Sequence, residues 1–368
     1  MLEHAFTGPS FTVGIEEELM ILDRESLDLA QEIEPILAAV PQEWEGQVKP
    51  ELFSAVLEIA TRPCAGVNEA GAELAELRTL MAGLADGRGL AIGAAGTHPL
   101  ARWEDQVIVD RPRYRELIDN LGYIARRELI FGTHVHVAIE GADRAVYVAD
   151  GIRRYLPLLL ALSTNSPFWR GMPTGMMSSR VPVFRQFPRQ GIPPHYGTWE
   201  IYSHRVETMM RSGAIEDYTY LWWDVRPHPK LGTVETRVCD QQTSLNGTLA
   251  LAALITALAR RLSVLHDNEE PLVEYPSELI DDNKVRAAMR GMEGMLVDFR
   301  AGHHVPAEEL AKRLLEELAA DAAELGIAGH LETVWEILRD GTGARRQLAT
   351  WEANGEDPRE VVRSLILD

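Results

Sequence analysis

The sequence predicts an α+β fold in which helices cover one face of a mainly antiparallel β-sheet and the other face stays open as a cleft. Several segments alternate between apolar and polar residues, as half-buried strands do, and the first spans residues 11–22. Helical spacing dominates between these segments and after Gln241. The polar side of the strands carries glutamates and histidines. These observations favour a packed apolar face and a polar floor lined with metal-ligand residues.

The composition is that of a globular protein with one large domain or two smaller ones, since 46% of the 368 residues are hydrophobic and 25% are charged. The net charge of −20 argues against a nucleic-acid partner, which requires a basic surface. Cys64 and Cys239 lack the spacing of a metal site and indicate a reducing compartment. The first ten residues do not resemble a signal peptide, and the longest apolar stretch, residues 249–259, is too short to cross a bilayer. We therefore expect a cytoplasmic protein with no membrane partner.

The first strand carries the central acidic pair. Glu16 and Glu18 project from one face, because side chains two residues apart on a strand point the same way. Neighbouring carboxylates repel each other unless a cation neutralises them, and hard oxygen ligands suit Mg²⁺ or Mn²⁺. The alternative is a solvent-exposed strand face. Glu17 points toward the apolar side, where we expect it near an edge or paired with an arginine. The apolar face consists of Phe11, Val13, Ile15, Leu19 and Ile21.

Two further alternating segments repeat this pattern. In residues 51–61, Glu58 lies on the face away from the apolar residues, whereas Glu51 has the opposite parity and reaches the same site only through a bulge or a bend. In residues 131–139, His134 and His136 share the polar face. A single histidine is more often a hydrogen-bonded structural residue than a metal ligand. A pair that faces the same way as three carboxylates strengthens the metal interpretation.

Residues 222–226 and 232–240 predict two strands joined by a turn, and Glu235 and Arg237 share a face of the second strand. Alone, these two would be a solvated pair on an exposed strand. With Glu235, the set reaches four carboxylates and one or two histidines, which suits two or three divalent cations that hold a nucleoside triphosphate. Arg226 and Arg237 would supply positive charge for a phosphate or a substrate carboxylate.

The irregular stretch of residues 163–202 contains many prolines and glycines and four arginines, Arg170, Arg180, Arg185 and Arg189. Long irregular segments in compact domains are functional loops or disordered linkers, and its aromatic residues argue against a linker. It is either a lid that closes an arginine-lined pocket over an anionic substrate or a purely structural loop.

The remaining segments comprise one predicted strand and several predicted helices. We predict a strand over residues 90–95 and helices over residues 68–87, 112–127, 145–162, 249–264, 276–297, 306–325 and 330–339, followed by a short terminal helix. Everything after Gln241 is thus expected to be helical and to pack on one side of the sheet. The P-loop, the dinucleotide-binding glycine fingerprint, the His-Glu-x-x-His zinc motif and the Gly-x-Ser-x-Gly nucleophile motif are missing from the sequence.

Six short motifs, in the same order along the chain as in the family, resemble those of the carboxylate–amine ligase family, which is also called glutamate–cysteine ligase type 2. The motifs are Gly14-Ile15-Glu16-Glu17-Glu18, Leu57-Glu58-Ile59-Ala60-Thr61, Gly132-Thr133-His134-Val135-His136, Asn165-Ser166-Pro167-Phe168-Trp169, Trp223-Asp224-Val225-Arg226-Pro227 and Thr233-Val234-Glu235-Thr236-Arg237. Each motif is weak alone, but the set covers about residues 14–263.

The resemblance implies a glutamine synthetase-like fold, related also to guanidino kinases, in which the sheet curves into a funnel-shaped active site. It implies a single domain of residues 1–368, with a sheet-bearing catalytic part at about residues 10–265 and a helical part at about 266–368. It further implies ATP-dependent formation of an amide, in which a substrate carboxylate such as the γ-carboxylate of glutamate becomes an acyl phosphate. Cysteine or another amine then attacks, and ADP and phosphate leave.

The resemblance also implies site residues and cofactors. The implied ligands of Mg²⁺ (or Mn²⁺) are Glu16, Glu18, Glu51, Glu58, His134 and Glu235. Arg226 and Arg237 would act on phosphate or substrate, and the residues expected to bind substrate or nucleotide are Asn165, Trp169, Arg180 and Arg185. The partners would be ATP, an amino acid and an amine, and the resemblance allows a homodimer. An ATP-dependent phosphotransferase with another acceptor, a metal-dependent amide hydrolase and a non-catalytic binding protein stay open as alternatives.

Overall fold

The computed structural model describes residues 1–367 and is built around a seven-stranded sheet in which every pair of neighbouring strands is antiparallel. The strands are β1 (Val13–Asp23), β2 (Val48–Pro50), β3 (Val56–Ala60), β4 (Leu90–Gly93), β5 (Gly132–Ala138), β6 (Phe168–Trp169), β7 (Met172–Pro173), β8 (Gln190–Gly191), β9 (Trp222–Trp223), β10 (Val225–His228), β11 (Thr233–Asp240), β12 (Met295–Asp298) and β13 (His303–Pro306). The main sheet has the order β10–β11–β5–β1–β3–β2, with β4 paired to the end of β1. The predicted α+β class with a mainly antiparallel sheet is confirmed.

The structure has helices in every region where they were predicted, and further helices between them. They are α1 (Ile33–Leu37), α2 (Val67–Asp86), α3 (Pro112–Leu121), α4 (Tyr123–Arg126), α5 (Ala142–Ile152), α6 (Leu156–Ser163), α7 (Arg180–Phe184), α8 (Trp199–Arg211), α9 (Leu245–Asp267), α10 (Ser277–Arg290), α11 (Ala307–Glu324), α12 (Ala328–Asp340), α13 (Gly343–Ala353) and α14 (Pro358–Arg363). Helices α2 and α9 pack on the apolar face of the sheet, and α11 and α12 form an outer layer against α9.

Strand β1 organises the core because it has neighbours along both edges. Val13, Ile15, Leu19 and Ile21 are buried in the main apolar core together with side chains of α2 and α9. Glu16 and Glu18 lie on the opposite face, so their predicted shared orientation is confirmed. The strand starts at Val13 rather than at residue 11, where Phe11 has a positive φ of 70°.

Helix α9 is the one helix in the described part of the chain that is long and apolar enough to cross a membrane. Its most apolar window is 78% buried inside the protein. Helices α2, α5, α11 and α12 surround it, so its hydrophobicity on all sides reflects its place in the core.

Two predicted helices are broken in the structure. The helix expected over residues 112–127 is interrupted at Gly122, whose φ of 52° lies outside the helical region. The helix expected over residues 145–162 is interrupted by a 3₁₀ turn at Arg153–Tyr155. The strand expected over residues 51–61 is also shorter than predicted, because residues 51–55 form a bend between β2 and β3.

The expectation that everything after Gln241 is helical is wrong. The predicted helix over residues 276–297 ends at Arg290, where Gly291 takes a positive φ of 53°. Strands β12 and β13 then form a hairpin, and the Asp298 carboxylate accepts hydrogen bonds from the backbone N–H groups of Arg300 and Ala301 in its turn. The short run Met295-Leu296-Val297 fits a strand as well as a helix, so periodicity alone could not distinguish them.

Candidate active site

The open face of the sheet carries polar side chains in rows of cross-strand partners. At one end, Lys49 of β2 lies opposite Glu58 of β3, and Glu58 lies opposite Glu18 of β1. Side chains of directly opposed residues share a face, so this row places two carboxylates and one ammonium side by side. The acidic end of the floor is therefore formed by the strands at the β2 edge of the sheet.

The rows continue toward the other edge through histidines to arginines. Glu16 of β1 lies opposite His134 of β5, and His136 of β5 lies opposite Glu235 of β11. Glu235 in turn lies opposite Arg226 of β10. The floor thus changes from carboxylates through imidazoles to guanidinium groups over the width of the sheet.

An open cavity lies over this floor. Its polar lining includes Glu16, Glu18, Lys49, Glu51, Glu58, Arg113, Glu128, His134, Arg180, Arg226 and Arg237. An aromatic wall, formed by Phe184, Phe187, Tyr220 and Trp222, closes one side. Charged groups beside an apolar wall are typical of sites that bind small molecules.

Glu235 lies beneath the cavity wall and holds two arginines that reach its surface. Arg226 donates from Nε to Glu235 Oε2 over 2.6 Å, and Arg237 also donates to the Glu235 carboxylate. Burial alone would raise the pKa of Glu235, but Arg226 and Arg237 hold that pKa well below its usual range. The ionised Glu235 therefore fixes both guanidinium groups at the basic end of the floor.

Glu16 is flanked by two imidazoles. Its Oε2 lies 3.2 Å from His134 Nδ1, and its Oε1 lies 3.5 Å from His136 Nε2. Burial opposes ionisation of Glu16, but His136 and His134 hold its pKa well below the usual range. Burial and the nearby Arg237 lower the pKa of His134 to about 4, so this ring is neutral at pH 7.

The other cavity carboxylates have raised pKa values. Burial, followed by the charges of Glu58 and Glu18, raises the pKa of Glu51 well above its usual range. Burial and the charge of Glu16 raise the pKa of Glu58, although Lys49 acts in the opposite direction. Burial and mutual repulsion therefore disfavour the ionised forms of these carboxylates. Glu51 reaches this cluster through the bend after β2. The sequence had left two routes for this residue, a bulge or a bend.

Arg180 enters the cavity from α7, in the irregular segment. Its guanidinium donates to the carbonyl oxygens of Arg237 and Val238 over 3.1 and 3.3 Å. A Cβ atom at Gly132 would lie only 2.4 Å from Arg180 Nη2, so the glycine leaves the space that the guanidinium occupies. The backbone N–H of Gly132 also donates to Glu18, which links the start of β5 to the acidic strand.

Three residues expected to bind substrate or nucleotide lie outside the cavity lining. Asn165 is buried, and its side-chain amide donates to the Gln241 carbonyl while its Oδ1 accepts from Gln347 of α13. Trp169 packs in an apolar cluster, and the exposed Arg185 pairs with Asp281 at 2.6 Å. For Asn165 and Trp169 the structure instead shows structural packing contacts.

The irregular segment is only partly the arginine-lined lid that the sequence suggested. Of its four arginines, Arg180 alone lines the described cavity. Arg170 pairs with Glu104, and Arg189 donates to the Tyr220 carbonyl and lies over Trp222. The segment contributes to the cavity chiefly through Arg180 and its aromatic residues.

Three charged residues of the cavity lining were not recognised as site residues in the sequence, namely Lys49, Arg113 and Glu128. Glu128 lies beside Glu18, Arg180 and Arg237, in a loop that no periodic pattern marks. Lys49 precedes Glu58 by nine residues, an odd interval that parity alone places on the opposite face of a continuous strand, and the bend at residues 51–55 brings the two side chains to the same face.

The residues in the middle of the floor fit a divalent cation. Carboxylate oxygens and a neutral imidazole are suitable ligands for Mg²⁺ or Mn²⁺. His136 Nε2 is buried without a hydrogen-bond partner among the described residues. Glu16, His136 and Glu235 each offer one potential ligand atom, and these three atoms lie within 4.8 Å of one another. A single ion could therefore contact all three residues.

Comparison with known sequences identifies the family. The model of "Glutamate-cysteine ligase family 2 (GCS2)" matches residues 12–364. A Rubrobacter xylanophilus protein named "Putative glutamate--cysteine ligase 2-1" is 42% identical over 365 residues, which cover 99% of this chain and 96% of that protein. A Sorangium cellulosum protein named "Putative glutamate--cysteine ligase 2" is 41% identical over 358 residues, which cover 97% and 95%.

Solved structures share the fold at low sequence identity. Francisella tularensis glutamate–cysteine ligase, solved in complex with AMP, has a TM-score of 0.71 at 14% identity, and the match covers 98% of this chain and 89% of that one. A bifunctional glutathione synthetase from Pasteurella multocida has a TM-score of 0.66 at 13% identity, over 96% of this chain and 51% of that one. The match to the family model over nearly the whole chain shows that the protein belongs to glutamate–cysteine ligase family 2, and it is an ATP-dependent ligase of that type.

Proposed function

We propose that the protein joins the γ-carboxylate of glutamate to an amine, such as that of cysteine, through an acyl-phosphate intermediate. The observation that carries this proposal is the change from carboxylates to arginines across the cavity floor. Phosphoryl transfer depends mainly on positioning and on neutralising charge, and such a floor offers cation ligands at one end and guanidinium donors at the other.

In this proposal, Glu16, Glu18, Glu51, Glu58, His134 and Glu235 would hold Mg²⁺ or Mn²⁺, with His136 as an additional donor. The bound cation would neutralise phosphate charge on ATP. Arg226 and Arg237, fixed by Glu235, would bind the oxygens of the transferred phosphoryl group. Arg180 would hold the backbone under Arg237 in place and contribute positive charge.

The chemistry has two steps. A substrate carboxylate oxygen attacks the γ-phosphorus of ATP, and the bond to the β–γ bridging oxygen breaks as ADP leaves. The amine nitrogen then attacks the acyl carbon, loses a proton and displaces inorganic phosphate. Exclusion of water protects the acyl phosphate, and the aromatic wall of Phe184, Phe187 and Trp222 is placed to do this.

The proposal treats residues 1–368 as one domain that acts in the cytoplasm on small molecules, with the sheet as the floor of a funnel. A homodimer is compatible with it. Neither nucleic acid nor a membrane has a part in the reaction, in keeping with the net charge of −20 and the burial of α9.

The test is phosphate release from ATP and Mg²⁺ with glutamate, while amino acids and amines are supplied one at a time. We expect release only with glutamate and one class of amine, with the amide product identified by mass spectrometry. Hydroxylamine in place of the amine should trap the acyl phosphate as a hydroxamate.

The matched variants are Glu58→Gln in the cavity and Glu200→Gln on the exposed face of α8. The first should abolish release and the second should leave it unchanged. Release without any dependence on an amine would point to a phosphotransferase, and product formed without ATP would overturn the ligase mechanism.

A further inference from the structure

The ammonium group of Lys49 lies against the acidic end of the cavity floor. Its Nζ donates to Glu58 Oε1 over 2.9 Å, and the two residues are direct partners across β2 and β3. The Glu58 side chain is 11% exposed and the Lys49 side chain 47% exposed, so the carboxylate is fixed while the lysine stem borders the open cavity.

The positive charge of Lys49 also lies near other carboxylates of the cavity. Glu18 lies on the far side of Glu58 in the same row, and the charges of Glu16 and Glu51 act on Lys49 as well. Within the described residues, no other lysine or arginine forms an ion pair with Glu58. Lys49 is therefore the ion-pair partner of Glu58, one of the carboxylates that the proposed function assigns to a divalent cation.

The residue type suits a contact that can be exchanged. The chain contains only four lysines, Lys49, Lys230, Lys284 and Lys312, and otherwise uses arginine for its cations. An ammonium is a point charge on a flexible stem, whereas arginine binds a carboxylate through a rigid two-pronged fork, as Arg226 does with Glu235. The single 2.9 Å contact of Lys49 can break without disturbing β2.

We propose that Lys49 is a built-in counter-ion that a divalent cation displaces from Glu58 when it binds. The inference rests on the cation ligands of the proposed function and adds a residue that opposes binding of the cation. An ammonium and a divalent ion compete for the same carboxylate oxygen, and they repel each other at short range. The lysine lowers the affinity of the free cavity for the cation, which favours arrival of the cation together with a phosphate-bearing ligand.

The test measures Mn²⁺ binding to the full-length protein, without nucleotide, by the electron paramagnetic resonance signal of free Mn²⁺. We expect Lys49→Met to lower the dissociation constant for Mn²⁺ by at least tenfold. Lys49→Arg, which keeps the charge and can bind Glu58 through two donors, should bind Mn²⁺ no more tightly than wild type. Lys312→Met, at an exposed position on α11, should match wild type.

The outcomes separate this inference from the proposed function. If wild type binds Mn²⁺ and the folded Lys49→Met variant binds it equally or more weakly, Lys49 does not oppose the cation and the inference fails. If wild type binds no Mn²⁺ in the cavity, as judged by comparison with Glu58→Gln, the metal site of the proposed function fails as well.

A measurement on wild type guards against a variant that does not fold. The rate at which an amine-acylating reagent modifies Lys49, followed by mass spectrometry, should rise at least threefold when Mn²⁺ is added, because the ammonium leaves Glu58. Lys312 serves as the internal reference. A labelling rate at Lys49 that Mn²⁺ leaves unchanged would overturn displacement.

Discussion

Glu17 and Arg78 form a buried two-pronged ion pair beneath the cavity floor, with Oε1–Nη2 and Oε2–Nε distances of 2.6 and 2.7 Å. Glu17 belongs to β1 and points away from Glu16 and Glu18, into the layer between the sheet and α2. Thr248 of α9 donates to the same carboxylate over 2.6 Å. The pair therefore ties the strand that carries the acidic residues to both helices behind it.

Removing one partner of this pair should destabilise the protein strongly. Arg78→Met leaves the Glu17 carboxylate buried without its counter-ion, and we expect the free energy of unfolding in urea to fall by about 3–5 kcal/mol. The double variant with Glu17→Met should recover part of this loss, because it removes the uncompensated charge. The control is Arg286→Met on the exposed face of α10, where the pair with Asp282 should contribute less than about 1 kcal/mol. Equal losses at the two sites would contradict the prediction.

The sequence predicted β1 well because strand periodicity is a strong constraint where one face is buried. The alternation placed Glu16 and Glu18 on one face and Glu17 on the other. For Glu17 the sequence analysis offered two alternatives, a position near an edge or a pair with an arginine, and the structure shows the pair. The order of short motifs was also enough to indicate the family, which the match over residues 12–364 confirms.

The remaining features depend on contacts between distant parts of the chain. Glu51 reaches the cluster through a bend, and Glu128 through a loop, and neither leaves a periodic signal. Asn165 and Trp169 follow a motif of the family, but their side chains are held by packing and by the buried amide of Gln347, which lies 182 residues away from Asn165. Only the folded structure reveals such long-range partners.

Of two arginines in the irregular segment, only Arg180 should matter for turnover. Its buried guanidinium lines the cavity and supports the backbone of Arg237, so Arg180→Met should lower the rate of phosphate release by at least 100-fold. Arg185→Met removes an exposed ion pair with Asp281 and should stay within threefold of wild type. Melting temperatures of both variants show whether a lost rate reflects unfolding. A comparable loss of rate in the two folded variants would contradict the assignment.

His98 should make the protein less stable as the pH falls from 6.5 toward 4. Its Nδ1 accepts hydrogen bonds from the backbone N–H groups of Leu100 and Ala101, and its Nε2 lies 3.0 Å from the Leu27 carbonyl. Burial lowers the pKa of His98 to about 4, so the unfolded chain binds a proton at pH values where the folded protein does not. At pH 5 this costs the folded state about 2 kcal/mol relative to pH 7.5.

The contribution of His98 is isolated by a difference between variants, because other groups also titrate in this range. Urea unfolding of wild type and His98→Gln should be compared at pH 7.5 and at pH 5. The variant should be the less stable protein at pH 7.5, and the gap should shrink by about 2 kcal/mol at pH 5. A gap that is independent of pH would show that folding does not lower the pKa of His98.

Glu128 and Glu16 should respond in opposite ways to the same substitution. Burial and the charge of Glu18 raise the pKa of Glu128 well above its usual range, which favours the uncharged form of its carboxyl group. Glutamine imitates an uncharged carboxyl group in shape and polarity, and Glu128→Gln should keep phosphate release and Mn²⁺ affinity within threefold of wild type.

Glu16 has a pKa well below the usual range because of its two histidines, although burial acts against this. Glu16→Gln therefore removes a real charge from the proposed cation site, and we expect at least a 100-fold loss of phosphate release with a matching loss of Mn²⁺ affinity. A loss as large in Glu128→Gln would mean that Glu128 is ionised in the working enzyme and belongs among the charged groups of the cavity.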